Sequence, residues 1–373
     1  MRQRQAWTLS AALLLFSAPL WAQREVQRPF WYILEQGKLA FRAGAYGEAL
    51  ASFERARDLR RDMFTRMEED FIALLSMAEV RRLGDSLEQV ESYISSRSYL
   101  NVSGILEEVY YRVPKASLNG SASKALTEMG RLKNYPEAEY WIGEAYRADG
   151  ELGIALRQYE KAYELRSLLE NPAFAPELLY KMADIHRIRA EYNQMEKRLL
   201  EILEGDSLWP EDPESFLRSA MNRVLENDGI NRFLTVYRYS NAAVLRAHSL
   251  LGFYYYTRGR HSRAVEHLLF AFLIQNTLLI EELSRIQYGF TFTSIDALLA
   301  EVLRRPALAA YLEELEYYRI AYYLGSSYYG DGKAKIARMI WDMLNRQRAA
   351  GEWQARAAGQ LKSPFVERGA SGE

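Results

Sequence analysis

Four segments of this chain set the same kinds of residue in the same order at matching intervals. One runs Gly37, Phe41, Gly44, Tyr46, Ala49, Phe53, Ala56, and a second Gly143, Tyr146, Gly150, Ala155, Tyr159, Ala162. The third is Gly252, Tyr255, Gly259, Ala264, Leu268, Ala271, and the fourth Gly325, Tyr328, Gly332, Ala337, Trp341. A fifth copy around Ala183, Tyr192, Leu199 and Ile202 keeps the spacing but lacks the central Gly and the later Ala. From Gly37 through Gly143, Ala183 and Gly252 to Gly325, the steps fit about three, one, two and two periods of a roughly 34-residue unit. The physical content is a helical hairpin. Small residues let its two helices approach closely, aromatic residues fill the gaps, and the central Gly ends the first helix in a left-handed conformation.

This pattern resembles the tetratricopeptide repeat. The resemblance implies an all-α fold, a right-handed superhelical solenoid of helix-turn-helix repeats. Copies are clearest at residues 30–63, 136–169, 176–205, 245–277 and 318–348. The gaps between them predict degenerate repeats at 69–95, 103–131, 213–239 and 278–305, making about nine over residues 29–363. Apart from Pro19, the prolines fall where a helix begins or ends, as the missing N–H requires. Residues 288–293 alternate like a strand but are brief and read as an extended loop. Residues 364–373 are rich in Gly, Ser and charge and read as a flexible tail.

Hydrophobic residues make up 49% of the chain, so a large core is possible. Tyr outnumbers Phe, 26 to 15, which suits half-buried surfaces of a thin helical layer. The 48 basic and 49 acidic residues nearly balance, so the basic footprint of a nucleic-acid partner is missing. There is no cysteine, which removes disulfides, thiolate nucleophiles and thiolate metal sites together.

The first 22 residues read as a signal peptide. Arg2 and Arg4 precede an apolar stretch at 6–18, Pro19 breaks it, and small Ala22 precedes the expected cleavage point. The stretch is short for a spanning helix, which needs about 20 residues. The expectation is an exported, periplasmic protein that starts near Gln23 and has no membrane span after cleavage. Export without cysteine fits a bacterial periplasm.

Catalytic, metal and cofactor sites are expected to be absent. His261 and His267 are six apart, off the three- or four-residue spacing that puts two ligands on one helical face. The Gly330-Asp331-Gly332-Lys333 run lacks the Gly-Lys-Ser/Thr ending of a phosphate loop and falls on a turn that needs glycine anyway.

In the family that the repeats resemble, the first helix of each copy lines a concave groove through its second, fifth, ninth and twelfth positions. Carried over, these are Trp31, Leu34, Lys38 and Phe41, then Glu137, Tyr140, Glu144 and Arg147, then Glu177, Tyr180, Asp184 and Arg187. Two neighbours thus share the order acid, Tyr, acid, Arg on one helical stripe. One reading is a ladder of Tyr platforms and Arg forks for an extended, carboxylate-bearing peptide. The other is a solvated face on which Glu144 pairs with Arg147 and Asp184 with Arg187. Later copies place Arg246, Ser249, Phe253 and Tyr256, then Arg319, Tyr322, Ser326 and Tyr329, a more aromatic run. The carboxylate clamp of the family needs Lys and Asn at set positions and is not matched. The functional expectation is a non-catalytic scaffold that binds another protein through these positions. The alternative is a carrier of a small hydrophobic ligand.

Overall fold

A computed structural model describes residues 28–75, 92, 96, 127–204, 206 and 216–367. The expected signal peptide at 1–22 and most of the predicted repeats at 69–95 and 103–131 lie outside them. Among the described residues all regular structure is helical. The chain forms two compact units, one ending at Ala175 and the other starting at Pro176.

In the first unit, α1 (Phe30–Arg42) and α2 (Tyr46–Leu75) form one hairpin, and α3 (Pro136–Ala148) and α4 (Leu152–Glu164) form another. The start of α3 is written locally. Pro136 sits where the helix has no use for an N–H, Glu137 and Glu139 occupy the first turn, and Arg147 the last, so each charge complements the helix dipole. The core gathers Leu34, Phe53, Tyr135 and Ile142 around the small Ala49, Ala56 and Ala138. Buried Arg60 lies 4.5 Å from the Tyr135 ring and donates from Nε to Leu132 O at 3.0 Å.

The second unit holds most of α5 (Phe174–Ile188) and then α6 (Tyr192–Glu204), α7 (Phe216–Val236), α8 (Ala242–Thr257) and α9 (His261–Ile286). It continues with α10 (Ile295–Leu303), α11 (Pro306–Glu314), α12 (Tyr317–Gly330), α13 (Ala334–Asn345) and α14 (Glu352–Lys362). Caps set several starts: the Asn241 side chain accepts from Ala243 N, and Ser294 from Ala297 N. Residues 288–293 form an irregular loop, as expected.

The five hairpins share one construction. A Cβ added to Gly37, Gly143, Gly252 or Gly325 would lie within 2.5–2.8 Å of Phe53, Tyr159, Leu268 or Trp341, in each case sixteen positions on. Seven positions after those glycines, Gly44, Gly150, Gly259 and Gly332 take φ between 69 and 83°. The fifth copy keeps that backbone without the glycine, with Ala190 at φ 56°. Every turn closes with the same pair of hydrogen bonds, for example Gly150 N to Arg147 O at 3.1 Å and Glu151 N to Tyr146 O at 2.9 Å. This arrangement satisfies carbonyls that the end of the first helix would otherwise leave open.

Two second helices overrun the expected boundaries. The α2 helix continues past residue 63 to Leu75, and α9 continues past 277 to Ile286, absorbing the start of the degenerate repeat at 278–305. Neither overrun contains a Gly or Pro that would stop it. Within the predicted repeat at 213–239, of which 213–215 lie outside the described residues, α7 is one helical stretch interrupted at Gly229, whose φ is 83°. Helix α9 is long and apolar enough to cross a membrane, with an 18-residue window of mean hydropathy 1.3, yet 83% of that window is buried within the fold. Burial of that extent is the pattern of a core helix.

Candidate interaction face

In the first unit, the expected groove residues divide by depth. Trp31 is 51% exposed. Lys38 pairs with Glu35 at 2.6 Å and stands 5.6 Å from the centre of the Trp141 ring. Phe41 is half-buried against the same ring at 5.7 Å. Tyr140 is buried, packed edge-on to Trp141 at 5.3 Å and to Phe174 at 5.0 Å. It fills the interior and offers no platform, which corrects the expectation. Glu144 is also buried, accepting from Tyr159 Oη at 2.5 Å with Arg147 Nη2 at 3.4 Å. Burial, reinforced by the Glu144 charge, holds the Tyr159 phenol far above its ordinary range. Buried Glu139 joins three helices through Lys161 at 2.5 Å and Arg57 at 3.6 Å.

In the second unit, Tyr180 is buried and its hydroxyl enters the backbone ladder of α8. It donates to Ala243 O at 2.8 Å and accepts from Ala247 N at 3.0 Å, bridging a carbonyl and an amide four residues apart. Tyr180 is therefore an inter-helix tie, again in place of the expected platform. Asp184 and Arg187 pair with each other at 2.9 Å, and Arg187 keeps half of its side chain in solvent. The acid–Arg pairs of both helices thus close along their own helix, the second of the two arrangements the spacing allowed.

Farther along, two Arg side chains lie on aromatic rings supplied by the preceding hairpin. Arg246 stands 4.8 Å from the Tyr180 ring centre and Arg319 4.4 Å from that of Phe253. Such stacking orients a guanidinium while leaving its edge for an anion, which for Arg319 is the Glu316 carboxylate at 2.5 Å. Phe253 itself is half-buried, edge-on to Tyr323 at 5.5 Å.

Tyr256 and Tyr322 are buried, unlike the exposed groove lining expected of them. Tyr322 Oη donates to Glu367 Oε1 at 2.5 Å and accepts from Gln360 Nε2 at 3.2 Å. Tyr329 Oη donates to Pro364 O at 3.4 Å. Residues 364–367, expected to be part of a flexible tail, are thereby seated on α12, while 368–373 lie outside the described residues. The sequence carries no signal for this seat: Gln360 and Glu367 are ordinary polar residues until the chain turns back after α14.

A separate recess of about 510 Å³ is lined by Glu191, Tyr192, Asn193, Tyr254, Arg258 and Arg260. Tyr192 and Tyr254 stack at 6.1 Å, with Arg258 over both rings. It is open and largely polar, a poor enclosure for a hydrophobic ligand.

Buried polar groups that motif reading passed over also come together. His248 and His267 meet Nδ1 to Nδ1 at 3.2 Å, and Tyr255 stacks on His267 while donating to Glu196 at 2.6 Å. The pairing is between the two helices of one hairpin, so spacing along a single helix did not point to it.

No protein-family model matches the chain. The chain is similar to an uncharacterized protein of Treponema pallidum (strain Nichols), 23% identical over 333 residues, which is 89% of each chain. The likeness therefore spans both units.

Proposed function

We propose that this chain is a non-catalytic scaffold of tetratricopeptide type, a solenoid of about nine repeats that holds a segment of a partner protein. The reading rests on one observation above the rest. Four hairpins repeat the same close-packed register and a fifth repeats their turn, so in each the first helix carries equivalent positions. Many unlike side chains on equivalent positions suit recognition of an extended chain better than they suit a single reaction centre.

The binding positions follow from depth. Trp31 in the first unit and Arg187 and Arg246 in the second are exposed, while Phe41 in the first and Phe253 and Tyr329 in the second are half-buried. Tyr140 in the first unit and Tyr180, Tyr256 and Tyr322 in the second are buried within their own units. The partner is a protein, met in the bacterial periplasm after removal of residues 1–22. Nucleic acid is disfavoured by the charge balance.

The test is cross-linking capture from a cell-envelope extract, using the mature chain beside a Trp31→Ala, Arg187→Glu, Arg246→Glu variant. The expected outcome is one discrete protein captured by wild type and lost with the variant, both being equally helical by circular dichroism. Capture by both sets the contact on another face. Capture by neither removes the scaffold reading. Mass spectrometry of the exported protein checks localisation, with an intact Met1 in the soluble cytoplasm as the contrary result.

A further inference from the structure

We infer that the α12 face of the second unit is a binding site for an extended peptide with a carboxylate three residues beyond a bound carbonyl, and that the chain's own residues 363–367 occupy it. This inference rests on the scaffold reading and names the chemistry of one part of its surface.

The site is built from buried and half-buried groups that address generic features of a peptide. Tyr329 Oη donates to the carbonyl of Pro364, and Gln360 Oε1 accepts from the N–H of Phe365 at 2.9 Å. Two residues farther on, Tyr322 Oη meets the Glu367 carboxylate at 2.5 Å. Gln360 is 1% exposed and is committed at both ends, to the tail backbone and to Tyr322. A buried amide held in that way is oriented before any ligand arrives, which lowers the cost of binding.

Two more buried hydroxyls, Tyr256 Oη and Ser326 Oγ, face each other beside the Tyr322–Glu367 pair. A hydroxyl can rotate, so donors that rest on one another can turn to an acceptor placed among them. Burial and then the Glu367 charge raise the Tyr256 phenol, in keeping with a carboxylate at that end of the ring. The resident carboxylate uses only part of this set, so a segment with a better-placed acid can engage more of it.

The tail's remaining side chains are uncommitted. Phe365 is 54% exposed and Val366 39% exposed, so the site reads two backbone groups and one acid while tolerating either residue between. These are the features a partner's acidic, extended segment shares with the tail. Because the tail is tethered directly to α14, its effective concentration at the site is on the order of millimolar. A partner segment must displace it, and the tail thereby sets a threshold for weak competitors.

The test is fluorescence anisotropy with a labelled peptide having the sequence of residues 361–373, titrated with full-length protein. Replacing Glu367→Gln in the protein removes the resident carboxylate. Affinity for the peptide is expected to rise about ten-fold over wild type, the worth of one charge-assisted hydrogen bond. Adding Tyr322→Phe to that variant should return affinity to the wild-type level. A peptide with Gln in place of its own Glu367 should show no gain. Equal binding by wild type and the Glu367→Gln protein overturns the inference, as does binding indifferent to Tyr322 or to the peptide carboxylate. Thermal melts confirm that each variant folds. If the peptide fails while envelope capture succeeds, only this site is lost. If the peptide behaves as expected while no protein is captured, the site stands and the wider scaffold reading falls.

Discussion

At Gly143 an added methyl group would lie 2.6 Å from Tyr159 Cε1 and 3.3 Å from the carbonyl of Ala155. The ring can shift only against Tyr140 and Glu144, which already hold it, and the carbonyl belongs to the facing helix. Gly143→Ala is therefore expected to destabilise the first unit by about 1–3 kcal/mol, the usual cost of overpacking. A urea midpoint equal to wild type would show that the helices separate freely. Ala190 presents the opposite case. It holds φ 56° with a Cβ in place, where the other four hairpins use glycine. Left-handed backbone costs an ordinary residue about 1–2 kcal/mol, partly offset by the greater chain entropy glycine loses on folding. Ala190→Gly should raise stability by up to about 1 kcal/mol, and a lowered denaturation midpoint would refute this. The first site was legible as a small residue facing an aromatic one. The second was legible only as a missing glycine, because spacing shows where the left-handed turn must fall but not what bears its strain.

At the scale of the helix, the Tyr180 hydroxyl sits between Ala243 O and Ala247 N, a carbonyl and an amide that ordinarily bond to each other. Burial pushes this phenol up to about 12, so it serves as a neutral hydroxyl that both donates and accepts. Tyr180→Phe leaves the two backbone groups to re-pair by closing the turn. The expected loss is about 1–2 kcal/mol, with faster hydrogen exchange at the Ala247 amide if closure is incomplete. Unchanged exchange and unchanged stability would mean that the hydroxyl is incidental. The extended α2 and α9 helices show what periodicity leaves open at this scale. An amphipathic run reveals that a helix exists, whereas its end depends on whether a stop is present and on what covers the extra turns. In α9 the cover includes α12, whose Tyr317 donates to Asn276 at 3.0 Å across 41 residues of chain.

Among the described residues of both units, buried phenols recur. Burial raises Tyr135 and Tyr159 in the first unit and Tyr317, Tyr322 and Tyr328 in the second, and sets Tyr318 at about 12. A phenol carries no charge while protonated, so a folded value above the unfolded value near 10 stabilises the native state below about pH 10. That stability drains away as pH rises through the folded values. Much of the tyrosinate absorbance is accordingly expected to grow only as helical ellipticity is lost. Complete tyrosinate formation with helicity intact would contradict this. The Tyr excess was plain in composition and its half-buried setting was anticipated, but the depth of individual rings was not.

The sequence by itself determined the hairpins: their number in the clear copies, their turns, the small residues that let each pair close, and the all-helical class. These follow from contacts between residues about sixteen positions apart and from backbone sterics at single positions, which any local reading can reach. Tertiary structure alone decided which side chains of a shared helical stripe meet solvent. Tyr180 is turned inward by a helix 63 residues away, and Tyr322 by a tail 45 residues away. Equivalent positions in successive copies therefore differ in exposure, because helical periodicity sets a residue's direction while the neighbour packed in that direction sets whether water can reach it.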